Sequence, residues 1–131
     1  QSRSTYGVIR GLQYQEAPFS QSKLVRVLEG TIYDVAVDIR ENSSTFGQWY
    51  GIELSSANFK QLLVPKGFAH GFSVISPHAT VFYKCDEFYH PEAERGIYYN
   101  DPMLEIDWKI PSDKAVLSNK DLQLPFFEYQ K

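Results

Sequence analysis

The chain has 131 residues, with 13 Lys and Arg against 16 Asp and Glu, for a formal net charge of −3. This length fits one domain, and the acidic balance argues against a general nucleic-acid binder, which carries a basic surface. No apolar run approaches the ~20 residues needed to span a bilayer, so no membrane association is expected. Aromatic residues make up 15% of the chain, and because they favour strands the composition indicates an all-β fold with an aromatic-lined interior.

Period-2 alternation predicts a series of short strands separated by turn residues. They are predicted at residues 8–15, 23–28, 31–40, 48–54, 61–64, 68–75, 80–87 and 104–108. The clearest is 31–40, where residues 33, 35, 37 and 39 are apolar or aromatic. Because only Glu29 and Gly30 separate it from 23–28, these two strands are predicted to form a hairpin. Strands at this spacing suggest a sandwich or barrel.

The C-terminal part of the sequence has little strand period. Ser112 and Ser118 are plausible N-caps for one or two short helical turns. Residues 115–131 read as a terminal arm that keeps Leu122, Leu124, Phe126 and Phe127. Apolar residues in such an arm are expected to dock on the edge of the barrel or on a partner subunit.

Polar residues within the predicted strands divide into two groups. Asp38, Arg40 and Lys84 are interpreted as solvated positions on a one-sided sheet. His70 lies in F-A-H-G-F, where its apolar neighbours indicate an interior position. It is therefore either a core histidine with satisfied hydrogen bonds or part of an interior site. Arg10 and Gln13 are three positions apart, so in an ideal strand their side chains point to opposite faces. Both can face one cavity only if the strand bends near Gly11.

No metal or nucleophile pattern is present. The three histidines, His70, His78 and His90, lack ligand spacing such as H-x-H, so we expect neither a metal nor another cofactor. Cys85 is the single cysteine. It is interpreted as a small buried residue, and its inability to form an intrachain disulfide favours a reducing compartment, the cytoplasm.

Eight strings in fixed order give a more specific signal. They are G-V-I-R-G-L-Q-Y-Q, Q-S-K-L-V-R-V-L-E-G, D-V-A-V-D-I-R, S-T-F-G-Q-W, V-P-K-G-F-A-H-G-F, Y-K-C, E-R-G-I-Y-Y-N-D-P and S-N-K-D. Over residues 2–121 the sequence resembles the dTDP-4-dehydrorhamnose 3,5-epimerases. The resemblance implies a single cupin-type jelly-roll domain over 1–131, a homodimer without a metal cofactor, and a dTDP-4-keto-6-deoxy sugar as substrate. It also implies that a family segment preceding residue 1 is missing from the given chain.

The resemblance further implies roles for individual residues. Lys23 matches the cation that holds an enolate oxygen, and Tyr83 matches the acid that returns a proton. Asp121 matches the aspartate that orients the catalytic base. Positions that help bind the diphosphate or the sugar, or line the cavity, match Arg10, Asp34, His70 and Tyr89.

Gln13 departs from the family pattern, because it stands where the resemblance implies the histidine base of R-G-L-H. An amide is essentially non-basic in water, so Gln13 cannot accept a carbon-bound proton. Either His70 or a tyrosinate would then have to replace the base for chemistry to persist. Three hypotheses stay open: an epimerase acting on a dTDP-4-keto-6-deoxy sugar, a catalytically impaired dTDP-sugar-binding barrel, and an epimerase of altered scope that inverts a single carbon or uses another base.

Overall fold

The computed structural model describes residues 2–127. Over this range the chain forms nine strands, two single 3-10 turns at Pro91–Ala93 and Ser112–Lys114, and one four-residue helix, α1 (Asn119–Leu122). The strands are β1 (Ser2–Thr5), β2 (Ile9–Gln15), β3 (Lys23–Glu29), β4 (Thr31–Asp38), β5 (Trp49–Ser55), β6 (Leu62–Val64), β7 (Phe68–Val74), β8 (His78–Cys85) and β9 (Glu94–Gly96).

The strands form two antiparallel sheets, as expected for the predicted all-β jelly-roll. One has the order β1-β8-β3-β6 and the other the order β5-β4-β7-β2-β9. Side chains from both sheets meet in the interior, among them Val25 and Val81 from the first and Ile32, Phe72 and Val74 from the second. The prediction of the fold class is confirmed.

A second core lies on the other face of the five-stranded sheet. Val35 and Val37 of β4 are fully buried there, packed with Leu104 and Trp108 from the C-terminal region. Ala115, Leu117 and half-buried Phe127 pack against the same cluster, so residues 115–127 of the terminal arm dock on their own barrel. This covering explains why β4 is buried on both faces, whereas a one-sided sheet would leave alternate residues in water.

Two local predictions are wrong. β3 and β4 do not form a hairpin, because they lie in different sheets and the chain turns between them at Gly30. Gly30 has φ of +80°, and a Cβ there would lie 1.9 Å from the carbonyl oxygen of His78, so this corner requires glycine. Residues 104–108 are not a strand, although Leu104 and Trp108 are buried. Ser73 Oγ of β7 donates to the Trp108 carbonyl at 2.6 Å.

Asp38 is also misassigned by the sequence, since it is 1% exposed. The loop after β4 folds back over its carboxylate, which accepts bonds from Arg40 Nε, Arg40 Nη2 and Ser43 Oγ. The Arg40 guanidinium holds the pKa of Asp38 well below its ordinary value, against the effect of burial. Arg40 itself and Lys84 are exposed, as predicted.

The short strands β1 and β9 escape prediction because both are polar and too short to show a period. β1 pairs with β8, and β9 pairs with β2. In the C-terminal region Ser118 caps α1, its side chain accepting the Asp121 N–H at 3.1 Å, as predicted. Ser112 instead begins its 3-10 turn, which follows Pro111.

Candidate active site

A cavity of about 240 Å³ lies at one end of the interior, between the two sheets. Arg10 and Gln13 reach it from β2, and His70 reaches it from β7 of the same sheet. Lys23 of β3 and Tyr83 of β8 line it from the opposite sheet. The structure thus brings together five residues that the sequence assigns to one cavity.

The bend at Gly11 allows Arg10 and Gln13 to share this cavity. The register between β2 and β7 shifts between these two residues, and Gly11 has φ of +103°. A Cβ at Gly11 would lie 2.6 Å from the His70 carbonyl oxygen, so β2 and β7 approach too closely for a larger residue. The predicted bend is confirmed.

Helix α1 carries Asp121 to the back of the cavity. Its carboxylate accepts a bond from the Gln13 side-chain amide and one from the Gly11 backbone N–H, both at 3.2 Å. Asp121 is 4% exposed, and Lys120 beside it forms an ion pair with Glu94 at 3.1 Å. Asp121 therefore meets Gln13 across a separation of 108 positions in the sequence.

Asp34 does not line the cavity. It is fully buried behind His70, where its Oδ1 lies 2.6 Å from His70 Nε2. The sequence predicts Asp34 as a polar position of the cavity, and the structure corrects this to a buried partner of the imidazole. The two residues lie diagonally on adjacent strands, because His70 is paired with Ala36 and side chains two residues apart share a face.

Lys23 lies at the mouth of the cavity. Its Nζ is 5.8 Å from the centre of the Tyr83 ring. Burial lowers the pKa of Lys23, while Cys85, Asp34 and Glu94 oppose that shift and favour the ammonium form. The cavity thus has a partly desolvated amine whose neighbours support a positive charge.

Tyr89 lies in an adjoining cavity of about 260 Å³ that also contacts Gln13, Lys23 and Tyr83. Its hydroxyl donates to Glu94 Oε2 at 2.7 Å, and this bond is the main reason that the pKa of Tyr89 is raised. Tyr89 therefore lies at the rim of the site.

Glu94 and Cys85 are functional candidates that the sequence analysis misses. Burial raises the pKa of Glu94, but bonds from Tyr89 and Lys120 outweigh it, so the pKa lies below its ordinary value. Glu94 sits in the quoted E-R-G string, yet its ion pair with Lys120 joins residues 26 positions apart. Cys85, predicted to be buried, is exposed beside Lys23, with a pKa raised by partial burial.

Within residues 2–127, no three His, Cys, Asp or Glu side chains are grouped so as to hold a metal ion. Across the same part of the chain, no helix has the length and apolar character that a membrane-spanning helix requires.

The comparisons with known proteins agree with this architecture. A family model described as dTDP-4-dehydrorhamnose 3,5-epimerase matches residues 1–129. The chain is 50% identical over 121 residues to a dTDP-4-dehydrorhamnose 3,5-epimerase of Shigella flexneri, a match that covers 92% of this chain and 66% of that protein. Against the Pseudomonas aeruginosa protein of that name, identity is 52% over 93% of this chain and 66% of the relative. The chain therefore spans about two thirds of the length of these relatives.

Solved structures give the same result. The crystal structure of dTDP-4-dehydrorhamnose 3,5-epimerase from Elizabethkingia anophelis NUHP1 has a TM-score of 0.95 and 55% identity, covering 96% of this chain and 69% of that one. A Legionella pneumophila epimerase in complex with dTDP-4-keto-L-rhamnose has a TM-score of 0.91 and 53% identity, covering 95% of this chain and 65% of that one.

Fold and site together define a jelly-roll protein with a polar cavity at one end of its barrel. The chain belongs to the dTDP-4-dehydrorhamnose 3,5-epimerase family.

Proposed function

We propose that this protein is a nucleotide-sugar epimerase that inverts the carbons next to the 4-keto group of a dTDP-4-keto-6-deoxyhexose. The observation that carries the proposal is the convergence of Lys23, Tyr83 and His70 on one cavity, with Asp34 buried behind His70 and in contact with it. The relatives named above support the substrate class. An impaired sugar-binding barrel is not favoured, because the cation and the phenol retain their places in the cavity.

The chemistry needs three groups. The 4-keto group acidifies the protons on C3 and C5, so a base can remove one and leave an enolate. Lys23 provides a positive charge for the enolate oxygen, and its partial burial strengthens that interaction. The Tyr83 hydroxyl, on the other sheet from His70, donates the proton that returns to carbon from the opposite face.

The dTDP group has suitable partners at the cavity. Arg10 is exposed, and its Nη2 donates to Ser4 Oγ at 3.2 Å. Its planar guanidinium can donate two hydrogen bonds at once to a diphosphate. Tyr89, 61% exposed in the adjoining cavity, provides a ring on which a base can stack. We propose that binding needs no metal. Calorimetry after chelator treatment should still detect dTDP binding, and an absence of heat until a divalent cation is added would contradict this.

We also propose that the protein works as a homodimer in the cytoplasm. Three large apolar residues stand exposed on the outer face of the four-stranded sheet, Leu24 and Leu28 on β3 and Leu63 on β6, with Leu63 62% exposed. Phe126 of the terminal arm is 59% exposed. A second copy would remove such surface from water. Light scattering at micromolar protein should give a dimer mass, and a monomer mass would contradict the proposal.

The activity is tested with dTDP-4-keto-6-deoxy-D-glucose, the sugar that inversion at C3 and C5 converts to dTDP-4-keto-L-rhamnose. NMR of the ring protons follows the configuration at each carbon. We expect inversion by the native protein and a loss of at least about 100-fold in Lys23→Met, because the enolate loses its counter-charge. Lys60→Met is the matched control, since Lys60 is exposed in the loop before β6 and does not line the cavity. Equal rates for the two variants would contradict the role of Lys23.

A further inference from the structure

Epimerisation needs a proton acceptor in the cavity, and few of its side chains qualify. Five of the side chains that line it are excluded by their chemistry, since three are cations, one is a non-basic serine hydroxyl and one is the tyrosine that serves as the acid: Arg10, Lys23, Lys120, Ser118 and Tyr83. The Gln13 amide is not basic. Asp121 already accepts bonds from Gln13 and from Gly11 and is 4% exposed. This leaves His70, the imidazole that lines the cavity.

We propose that His70, oriented by Asp34, is the residue that takes the carbon-bound proton in this protein. The inference rests on the proposed function and names the base that Gln13 cannot be. His70 and Gln13 are direct cross-strand partners between β7 and β2. Directly opposite residues share a face, with Cβ atoms about 4.5–5.5 Å apart. A base at His70 therefore lies in the same cavity as residue 13, on the neighbouring strand.

The contact with Asp34 sets the tautomer of His70. With Nε2 2.6 Å from Asp34 Oδ1, the neutral ring donates its Nε2 proton to the carboxylate, which leaves Nδ1 as the nitrogen with a free lone pair. Asp34 is a positioning residue here, in the manner of the aspartate in a catalytic triad.

The buried carboxylate of Asp34 can balance the charge that the ring carries once it has taken a proton. Asp34 is fully buried, and among residues 2–127 its Oδ2 has no hydrogen-bond partner. A buried carboxylate with an unpaired oxygen is costly unless a positive charge lies beside it. When His70 gains a proton, the pair becomes an ion pair, and the charge of Asp34 is compensated.

The proton balance closes without another reactant. His70 Nδ1 takes the proton from C3 or C5, the C–H electron pair becomes the enolate double bond, and the carbonyl oxygen becomes an oxyanion held by Lys23. The Tyr83 hydroxyl then delivers its proton to the opposite face of the same carbon. The imidazolium loses its proton to solvent and the tyrosinate regains one, which restores both groups.

The experiment measures deuterium incorporation from heavy water at C3 and C5 of dTDP-4-keto-L-rhamnose, together with dTDP affinity by calorimetry. We expect the native protein to exchange, and His70→Asn to exchange at least about 100-fold more slowly with dTDP affinity within about threefold. His78→Asn makes the same change at an exposed histidine and should match the native protein. Gln13→His added to His70→Asn should restore exchange, because Asp121 already lies beside residue 13.

Asp34→Asn separates positioning from a general structural effect. It should lower kcat with KM little changed. In the His70→Asn background it should cause almost no further loss of rate, because both changes remove the same oriented base. Fully additive losses would contradict the positioning role.

The remaining outcomes are distinct. Exchange by His70→Asn at the native rate would overturn the inference and leave the proposed function standing. Loss of dTDP binding in parallel with exchange, in both His70→Asn and His70→Gln, would make His70 a binding residue and overturn it as well. A native protein that binds dTDP but exchanges neither proton would refute the proposed function, and the inference with it.

Discussion

Gly11→Ala should destabilise the protein more than an ordinary glycine substitution, because Gly11 holds β2 against β7 where the cavity forms. At φ of +103° an alanine is strained, which costs about 1–3 kcal/mol. Its Cβ would also lie 2.6 Å from the His70 carbonyl oxygen and 2.9 Å from Gly71 Cα, and both atoms belong to the backbone. Forcing these strands apart costs about a further 1–3 kcal/mol, for a total of about 2–6 kcal/mol.

The matched control for this change is Gly67→Ala. Gly67 also has a positive φ, +86°, but the nearest atoms to its Cβ are Cγ and Cδ of the 52% exposed Arg40 side chain, so relieving the contact moves a side chain rather than a neighbouring strand. This variant should lose about 1–3 kcal/mol from backbone strain. Urea unfolding of both proteins gives the free energies, and calorimetry with dTDP should show weaker binding for Gly11→Ala alone. Equal destabilisation with unchanged dTDP affinity would refute the close-approach argument.

Three further predictions concern the groups that support the site and the loop after β4. Ser118→Ala removes the acceptor of the Asp121 N–H and should cost about 0.5–2 kcal/mol in urea unfolding, and an unchanged free energy would contradict the cap. Asp38 has a folded-state pKa below its ordinary value of 3.8, so it stabilises the protein above about pH 4 and this contribution is lost as the pH falls through the folded-state pKa. Asp38→Asn should therefore flatten the acid side of a stability–pH profile, and an unchanged slope would refute that account. Asp121→Asn should slow exchange in the Gln13→His/His70→Asn variant at least about tenfold more than in the native protein, because Asp121 orients a base only in that variant. Equal losses in the two backgrounds would contradict this.

The fold class and the bend at Gly11 could be predicted because they depend on local patterns, whereas the roles of Lys23, Tyr83 and Asp121 were implied by the family resemblance. Alternation in β4 reveals a strand, and the opposite parity of Arg10 and Gln13 at Gly11 reveals a bend. Neither pattern contains information on pairing partners, which is why a tight turn at Gly30 suggests a hairpin although the chain changes sheet there.

Burial that depends on contacts with distant segments of the chain could not be predicted from the sequence. Asp38 reads as a solvated carboxylate until the following loop folds over it, and Asp34 reads as a cavity residue until His70 is seen to cover it. Residues 104–108 alternate like a strand, yet Trp108 packs as irregular chain on the outer face of the sheet. In each case the deciding contact joins parts of the chain that a local pattern cannot relate.

The central claim is that the cavity exchanges the protons beside a keto group, and the most direct measurement is C3- and C5-resolved deuterium incorporation into dTDP-4-keto-L-rhamnose by the native, chelator-treated protein in heavy water. The account predicts enzyme-dependent incorporation that dTDP inhibits by competition, since substrate and dTDP share the cavity. Incorporation no faster than in buffer alone, by a protein that calorimetry shows to bind dTDP, would contradict it.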